Sequence, residues 1–281
     1  MVYVCAPNLC RIDPAHPKKV TRLTRDGKAG GPVYGSPSLS TSGRRLTFVK
    51  GNRLYLAQGN ATRARQVDEP AGSALAWMRP DGRQVLYIRS VNTIISPGTF
   101  YPYYSPPVYG FVPFLFVRDV SAGKAQTVAR STTSAGWLRD RVLFPDAIEG
   151  NGPRPDRICI LAPPGSNELC ERPVATDPQQ RTLSSPAASP DGRYLVAVAE
   201  PFSADPSYKR TFVGALALFN PATGEYLREL TPGRADGKPV FSPDGKQVAF
   251  TRGGGLYVVG VAGGKPKLLR RGVRDPTWGA R

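Results

Sequence analysis

The residues best suited to chemistry in this 281-residue chain are concentrated between Asn92 and Val117. This segment contains no charged residue and five prolines, and it holds eight of the chain's 23 Phe and Tyr residues. Aromatic rings supply large, rigid contact area, and proline lowers the entropic cost of ordering a loop, so this composition favours binding to a partner. The same rings could instead be buried as a lid or plug. Contact with a membrane interface is a third alternative, and all three stay open.

Basic residues occur in two further segments that we expect to lie beside the aromatic one, namely 147–156 and 201–211. Positive charge next to aromatic rings would guide an acidic partner into contact. The plainer alternative is that each of these charges is only solvated. The predicted binding residues are Phe100, Tyr101, Tyr103, Tyr104, Tyr109, Phe111, Arg154, Arg157, Tyr208, Lys209 and Arg210.

Signatures of catalysis are scarce. His16 is the only histidine, and Gly-x-Ser-x-Gly, Walker and zinc-protease motifs are absent from the sequence. We therefore predict a protein with no catalytic residue, no metal site and no cofactor. The alternative is a hydrolase or lyase that acts on acidic envelope glycans through carboxylates, and no pair of these has an identifying spacing. The acidic candidates are Asp146, Glu149, Glu200 and Asp205.

A short phrase that returns along the chain predicts the elements that position these segments. It reads Arg79-Pro-Asp-Gly82, Ser189-Pro-Asp-Gly192 and Ser242-Pro-Asp-Gly245, and each copy precedes an apolar run. Proline presets the first central position of a tight turn, Asp tolerates the second, and Gly takes the next, so each copy predicts a β-hairpin. Weaker copies stand at 40–43 and 138–141.

The spacing of these copies, roughly 40–50 residues, with four strand-like runs per unit, is typical of a β-propeller blade. The last repeat is clearest, with strands a to d predicted at 239–242, 247–251, 256–261 and 267–270. In the aromatic segment only Phe114–Val117 reads as a strand, the third of its blade. We therefore expect an insertion of roughly 20 residues before it.

The two ends of the chain complement each other. Strands b, c and d are predicted at 1–4, 9–12 and 19–23, and Asp275–Gly279 matches a strand a. One blade assembled from both ends would close the ring and hide the sheet edges. We thus predict an all-β fold, a single six-bladed propeller domain over 1–281. Its blades are predicted near 36–68, 74–130, 134–174, 183–231 and 236–270, with 273–281 plus 1–25 as the composite blade.

The repeated unit, Trp or Phe followed by Ser-Pro-Asp-Gly and an apolar strand, resembles the propeller repeat of the TolB family, a relative of WD40 proteins. The resemblance covers nearly the whole chain but not the additional N-terminal domain of TolB proteins. It implies an extracytoplasmic protein. Because related repeats occur in prolyl-oligopeptidase-type propellers and sensor domains, the repeat specifies fold more than function.

The formal net charge of +17 favours anionic partners, including acidic proteins, envelope polymers and anionic lipids. The basic residues are dispersed, however, and the aromatic-plus-basic modules of RNA or single-stranded DNA readers are not evident. We expect a protein or envelope partner and no sequence-specific nucleic acid. A general polyanion binder is a further alternative.

The four cysteines form two local pairs, Cys5 with Cys10 and Cys159 with Cys170. Each pair falls on predicted neighbouring strands, whose Cα atoms approach to about 5 Å, which suits a disulfide. Free thiols are the alternative, and a four-cysteine metal site would need blades that lie far apart. Two disulfides would place the protein in the periplasm or at the cell surface. Since the repeat begins in mid-blade, we expect that an export signal or anchor once preceded Met1.

Overall fold

The computed structural model describes residues 1–29, 31, 33–67, 73–96, 108–121, 125–130, 134–145, 156–161, 170–201, 214–232 and 236–280. At 73–74, 92–96, 108–112 and 129–130 the backbone alone is described. These residues form 24 strands. No helix among them is long and apolar enough to cross a membrane.

The strands follow one another in groups that match the repeats of the sequence. The first three are β1 (Val2–Cys5), β2 (Asn8–Asp13) and β3 (His16–Arg22). Blade 1 contains β4 (Tyr34–Leu39), β5 (Arg45–Lys50), β6 (Arg53–Gln58) and β7 (Arg65–Gln66). Blade 2 contains β8 (Ser73–Met78), β9 (Gln84–Ser96), β10 (Val108–Asp119) and β11 (Ala125–Arg130). Blade 3 contains β12 (Gly136–Leu138), β13 (Arg141–Pro145), β14 (Arg157–Leu161) and β15 (Cys170–Thr176).

The second half of the chain continues the pattern. Blade 4 contains β16 (Thr182–Ala188), β17 (Leu195–Glu200), β18 (Ala215–Asn220) and β19 (Glu225–Glu229). Blade 5 contains β20 (Asp236–Phe241), β21 (Gln247–Arg252), β22 (Gly255–Gly260) and β23 (Gly263–Arg271). The last strand, β24 (Arg274–Thr277), pairs with β1, so that blade 6 has the order β24-β1-β2-β3. The predicted six-bladed propeller with one composite blade is confirmed.

The hydrophobic core is divided among the junctions between blades. Six buried clusters are present among the described residues, and each combines side chains from two neighbouring blades. At the closing junction Val2, Val4 and Leu9 of blade 6 pack against Leu46 and Phe48 of blade 1. Because β1 is buried in this way, the chain ends contribute to the core as fully as the central blades do.

The repeated phrase forms the turn between the first and second strands of a blade. In blade 5 the Gly245 N–H donates to Ser242 O at 2.9 Å, and Gly245 has φ of +69°, which glycine adopts without strain. Ser242 Oγ donates to Asp244 Oδ1 at 2.5 Å and accepts from Gln247 N at 2.9 Å. Asp244 also accepts from Lys246 N. The phrase is therefore a self-contained hydrogen-bonded turn.

Arginine side chains link neighbouring blades through backbone carbonyl groups of the next blade. A guanidinium reaches such a carbonyl at four of the six junctions between blades in the described structure. These arginines contribute to the net positive charge while serving the scaffold. The pairs are Arg11 with Gly59, Arg45 with Gly82, Arg65 with Val120, Arg139 with Asp191, Arg172 with Pro221 and Arg228 with Val261.

Candidate binding face and axial cavity

Successive strands of each blade are antiparallel, so the connections alternate between the two faces of the ring. The connections from second to third strands share one face with those that lead to the next blade. We call this the loop face. The predicted enlarged loops of blades 2, 3 and 4 all belong to it, and the tight turns that contain the repeated phrase lie on the opposite face.

The aromatic segment begins and ends in a long β-hairpin rather than in an irregular insertion. Strands β9 and β10 pair from Gln84↔Asp119 to Ser96↔Val108, with one register shift between Val108 and Tyr109. The predicted start of the third strand at Phe114 is therefore wrong, because pairing with β9 extends the strand back to Val108. With 13 residues against the six of β5, β17 or β21, β9 projects about 20 Å further along the chain direction.

Beyond the blade this hairpin is two-stranded in the described structure. β8 pairs with β9 only as far as Arg89, and β11 pairs with β10 only from Phe114 onward. Residues 90–96 and 108–113 consequently pair with each other alone, and both backbone edges of the extension have no further strand beside them among the described residues. Residues 97–107, which connect the two strands in the sequence, lie outside the described residues.

The predicted binding residues fall into two groups. Tyr109 and Phe111 belong to β10, where they pair with Ile94 and Asn92, and Arg157 is the first residue of β14. The Nε atom of Arg157 is buried and has no hydrogen-bond partner in the described structure. The remaining predicted residues lie outside the described residues: Phe100, Tyr101, Tyr103, Tyr104, Arg154, Tyr208, Lys209 and Arg210.

The carboxylates of the loop face are largely held in ion pairs. Asp177, fully buried, accepts from Arg181 Nη2 at 2.8 Å, and Arg181 also reaches Glu229 at 2.8 Å. Asp236, also fully buried, accepts from Arg252 Nη2 at 2.7 Å. Both carboxylates are thus engaged by guanidinium groups of the same face. We therefore interpret these ion pairs as stabilising the loops and not as catalytic groups.

A third ion pair stands where the chain enters blade 1. Asp26 is paired with Lys50 and accepts from Tyr34 Oη at 2.7 Å. The hydrogen bond from Lys50, followed by that from Tyr34, lowers the pKa of Asp26. Of the acidic candidates for catalysis, Glu200 ends β17 and has no ion-pair partner among the described residues. Asp146, Glu149 and Asp205 lie outside those residues.

An axial cavity of about 350 Å³ lies inside the ring of first strands. All three tryptophans of the chain, Trp77, Trp137 and Trp278, line it together with seven prolines. Lys238 and Asp275 are the charged residues of the described lining, and they form an ion pair with each other. The described lining is thus mostly apolar and suits an apolar or aromatic group better than a charged substrate.

The cavity wall contains a second repeated feature, an X-Pro step, which the sequence analysis missed. In four of the first strands, β24 included, a residue with positive φ precedes a proline. The pairing between first and second strands shifts register at each of these steps. Proline donates no hydrogen bond, so the first strand bulges at this step. The steps are Ser36-Pro37, Ser185-Pro186, Lys238-Pro239 and Asp275-Pro276.

Hydroxyl groups fix the first strands to one another around the cavity. At three junctions a Ser or Thr oxygen of one blade accepts from a backbone N–H of the next blade's first strand. Trp137 Nε1 donates to Trp77 O at 3.1 Å at a fourth junction. Hydrogen bonds therefore connect the cavity wall from blade to blade and engage the side chains of Ser36, Ser38, Ser134, Trp137 and Thr277.

His16 lies far from this site, exposed at the start of the outer strand β3, where its Nδ1 is 2.9 Å from Asp13 Oδ2. Among the described residues no group of three or more His, Cys, Asp or Glu side chains is arranged to hold a metal ion. Both cysteine pairs are disulfides, with Cα separations of 5.7 Å for Cys5–Cys10 and 5.4 Å for Cys159–Cys170. The predicted disulfide pairing is confirmed.

No protein-family profile and no curated protein matches the sequence. Solved structures do match. TolB from Acinetobacter baumannii superimposes with a TM-score of 0.71 at 18% identity, over 100% of this chain and 66% of that one. A candidate TolB from Agrobacterium tumefaciens gives 0.63 at 14% identity, over 99% of this chain and 94% of the other.

An oligogalacturonate lyase in complex with manganese also matches, with a TM-score of 0.56 at 18% identity, over 94% of this chain and 70% of the other. At such identities the likeness concerns the fold and carries no activity with it. Of these three structures, the two TolB structures have the higher TM-scores. The chain is a TolB-like six-bladed β-propeller.

Proposed function

We propose that this propeller is a non-catalytic, extracytoplasmic binding module that recognises a protein or envelope component through its loop face. The observation that carries the proposal is the β9–β10 hairpin, which extends beyond the other strands of its blade and flanks a sequence that is uncharged and rich in aromatic residues and proline. Function on repeat scaffolds is commonly carried by elaborated loops that a stable framework positions.

The electrostatics of the loop face support binding over catalysis. Asp26, Asp177, Asp236 and Asp275 are each held in an ion pair by a basic side chain, so these carboxylates are already engaged within the protein. The axial cavity beneath them is mostly apolar in its described part. The arrangement is suited to burying aromatic or aliphatic groups of a partner, with the basic surface guiding encounter.

The two disulfides support an extracytoplasmic location, because such bonds persist in oxidising compartments. The fold likeness to TolB structures agrees with a role in recognition. We infer that the module acts as a sensor or scaffold at the cell envelope.

The proposal is tested by replacing 97–107 with a two-residue Asn-Gly turn, which leaves β9 and β10 paired. Both proteins are immobilised and exposed to envelope extract, and retained components are identified and then measured in binary binding assays. We expect one component to bind the wild-type protein at moderate salt and to lose at least about tenfold in affinity toward the variant, as loss of an aromatic anchor costs.

A matched control replaces the tight turn at Asn60-Ala-Thr on the opposite face with Asn-Gly, which should leave binding unchanged. Equal binding by all three proteins would contradict the proposal and make the aromatic segment a structural plug. The lyase alternative has its own assay. Depolymerisation of an acidic glycan that disappears with Glu200→Gln, but not with the shortened hairpin, would establish an enzyme.

A further inference from the structure

A second cleft lies on the side of the ring opposite blade 3, between blades 5 and 6. It has a volume of about 420 Å³ and lies toward the loop face, where β3 and β23 end. Its wall combines Val20 and the Cys5–Cys10 disulfide with three arginines, Arg22, Arg270 and Arg271. The cleft is therefore part apolar and part strongly basic.

Tyr3 forms the buried floor of this cleft. Its side chain is 1% exposed, belongs to the core between blades 5 and 6, and lines the cleft. The hydroxyl oxygen is buried and has no hydrogen-bond partner in the described structure. Burial raises the pKa of Tyr3 above its ordinary value, so the group is a proton donor at neutral pH. A buried hydroxyl without a partner is unfavourable unless a ligand or water completes it.

The three arginines have no counter-ion in the described structure. None of them is in a salt bridge there, whereas Arg79, Arg141, Arg181 and Arg252 are each paired with a carboxylate. No Asp or Glu lines the cleft. Three permanently charged arginines thus line the same cleft as one unpaired hydroxyl donor.

We propose that this cleft binds a phosphate monoester group. A phosphate monoester carries close to two negative charges and three acceptor oxygens, so it can accept from the Arg270 and Arg22 guanidinium groups and the Tyr3 hydroxyl at once. A carboxylate has one charge and two oxygens in a plane, and would leave donors unused. The volume exceeds that of phosphate alone, and the apolar wall of Val20 and the disulfide accommodates the attached organic group.

This site is independent of the proposed function, which rests on blade 2. It also gives the excess positive charge a specific role in place of general attraction to polyanions. The phosphate can come from a soluble ester or from a lipid headgroup, and the two sources share the chemistry that the cleft recognises.

Phenyl phosphate and inorganic phosphate are titrated into the protein at low ionic strength and followed by calorimetry. We expect phenyl phosphate to bind with one-to-one stoichiometry and to raise the thermal midpoint. Tyr3→Phe and Arg270→Gln should each weaken binding by about tenfold, the typical effect of one hydrogen bond to a charged group. Tyr3→Phe should not lower the midpoint of the free protein, since its hydroxyl has no partner to lose.

Arg44→Gln is the matched control, because it removes the same charge from an exposed arginine on the opposite face. If all variants bind phenyl phosphate equally, or if binding vanishes at physiological salt in every protein, diffuse charge explains the attraction and the proposal is overturned. Flotation with phosphatidylcholine vesicles containing a minor fraction of phosphatidic acid assigns the source. Flotation that phenyl phosphate competes away indicates a lipid headgroup, and binding of phenyl phosphate without flotation indicates a soluble ester.

Discussion

At the scale of single residues, the hydrogen bonds of the repeated turn explain why a four-residue phrase predicts the hairpins of the fold. Ser242 is buried and Asp244 is exposed, yet each completes hydrogen bonds of the same turn. The hydrogen bond from Ser242 is the main cause that lowers the pKa of Asp244, and Ser189 acts in the same way on Asp191. In blade 2 Arg79 lowers the pKa of Asp81 instead. Each of these interactions joins residues that are close in the sequence, so the turn can be predicted from the sequence.

These lowered pKa values predict a loss of stability in acid. A carboxylate whose folded pKa lies below the unfolded value, about 3.9, stabilises the fold fully above that pH, and the contribution is lost as pH falls through the folded pKa. Asp244→Asn should therefore reduce stability at pH 7, and the two proteins should converge as the pH falls through the lowered pKa of Asp244 in the folded state. Urea unfolding at pH 7, 4 and 3 measures the difference.

Asp140→Asn is a suitable control, since Asp140 stands in the degenerate turn of blade 3 and makes no hydrogen bond among the described residues. It should change stability at pH 7 less than Asp244→Asn. A constant difference between wild type and Asp244→Asn across the whole pH range would show that the charge of Asp244 is immaterial.

At the scale of elements, the third strand of blade 2 is one whose start could not be predicted from the sequence pattern. Prolines and aromatics mask the alternation of Val108–Pro113, and only cross-strand pairing with β9 makes this segment a strand. The X-Pro bulges of the first strands are similar. Their residues are visible in sequence, but the cavity they line exists only when six first strands surround one axis.

The two disulfides should contribute unequally to stability. The sequence separation is 11 for Cys159–Cys170 and 5 for Cys5–Cys10. Loop-closure entropy therefore predicts that the first disulfide stabilises the fold by about 3 kcal/mol and the second by about 2 kcal/mol. We expect Cys159→Ala with Cys170→Ala to lower the free energy of unfolding more than Cys5→Ala with Cys10→Ala. Denaturant titrations of both double variants, oxidised and reduced, measure this. A larger loss at the shorter loop would contradict the entropic account.

At the scale of the whole molecule, the ring is closed by β24, whose Thr277 Oγ1 accepts from Leu39 N of blade 1 at 2.9 Å. Trp278 joins the core between blades 5 and 6. The arginines that reach carbonyl groups of the next blade reinforce the same circle. Much of the positive charge is therefore structural, which the composition alone could not reveal.

Deleting 274–281 should open the ring. Strand β1 would lose its inner partner, the axial cavity would meet solvent, and we expect the cooperative thermal transition to be lost while binding of an apolar dye increases. Circular dichroism melts and dye fluorescence measure the effect. Adding a peptide of residues 272–281 should restore the transition. If the truncated chain has the same thermal transition as the full protein, pairing of β24 with β1 is not needed to close the ring.

The sequence by itself determined the features whose physics is local. The turn phrase, the four-strand period and the paired cysteines depend on neighbours within a few residues, and they predict the six blades, the composite blade and both disulfides correctly. Only the tertiary structure decided what meets across blades. The tryptophan-lined cavity, the ion pairs of the loop face and the cleft of Tyr3 with Arg22 and Arg270 join residues up to 267 positions apart, and no local pattern encodes such proximity.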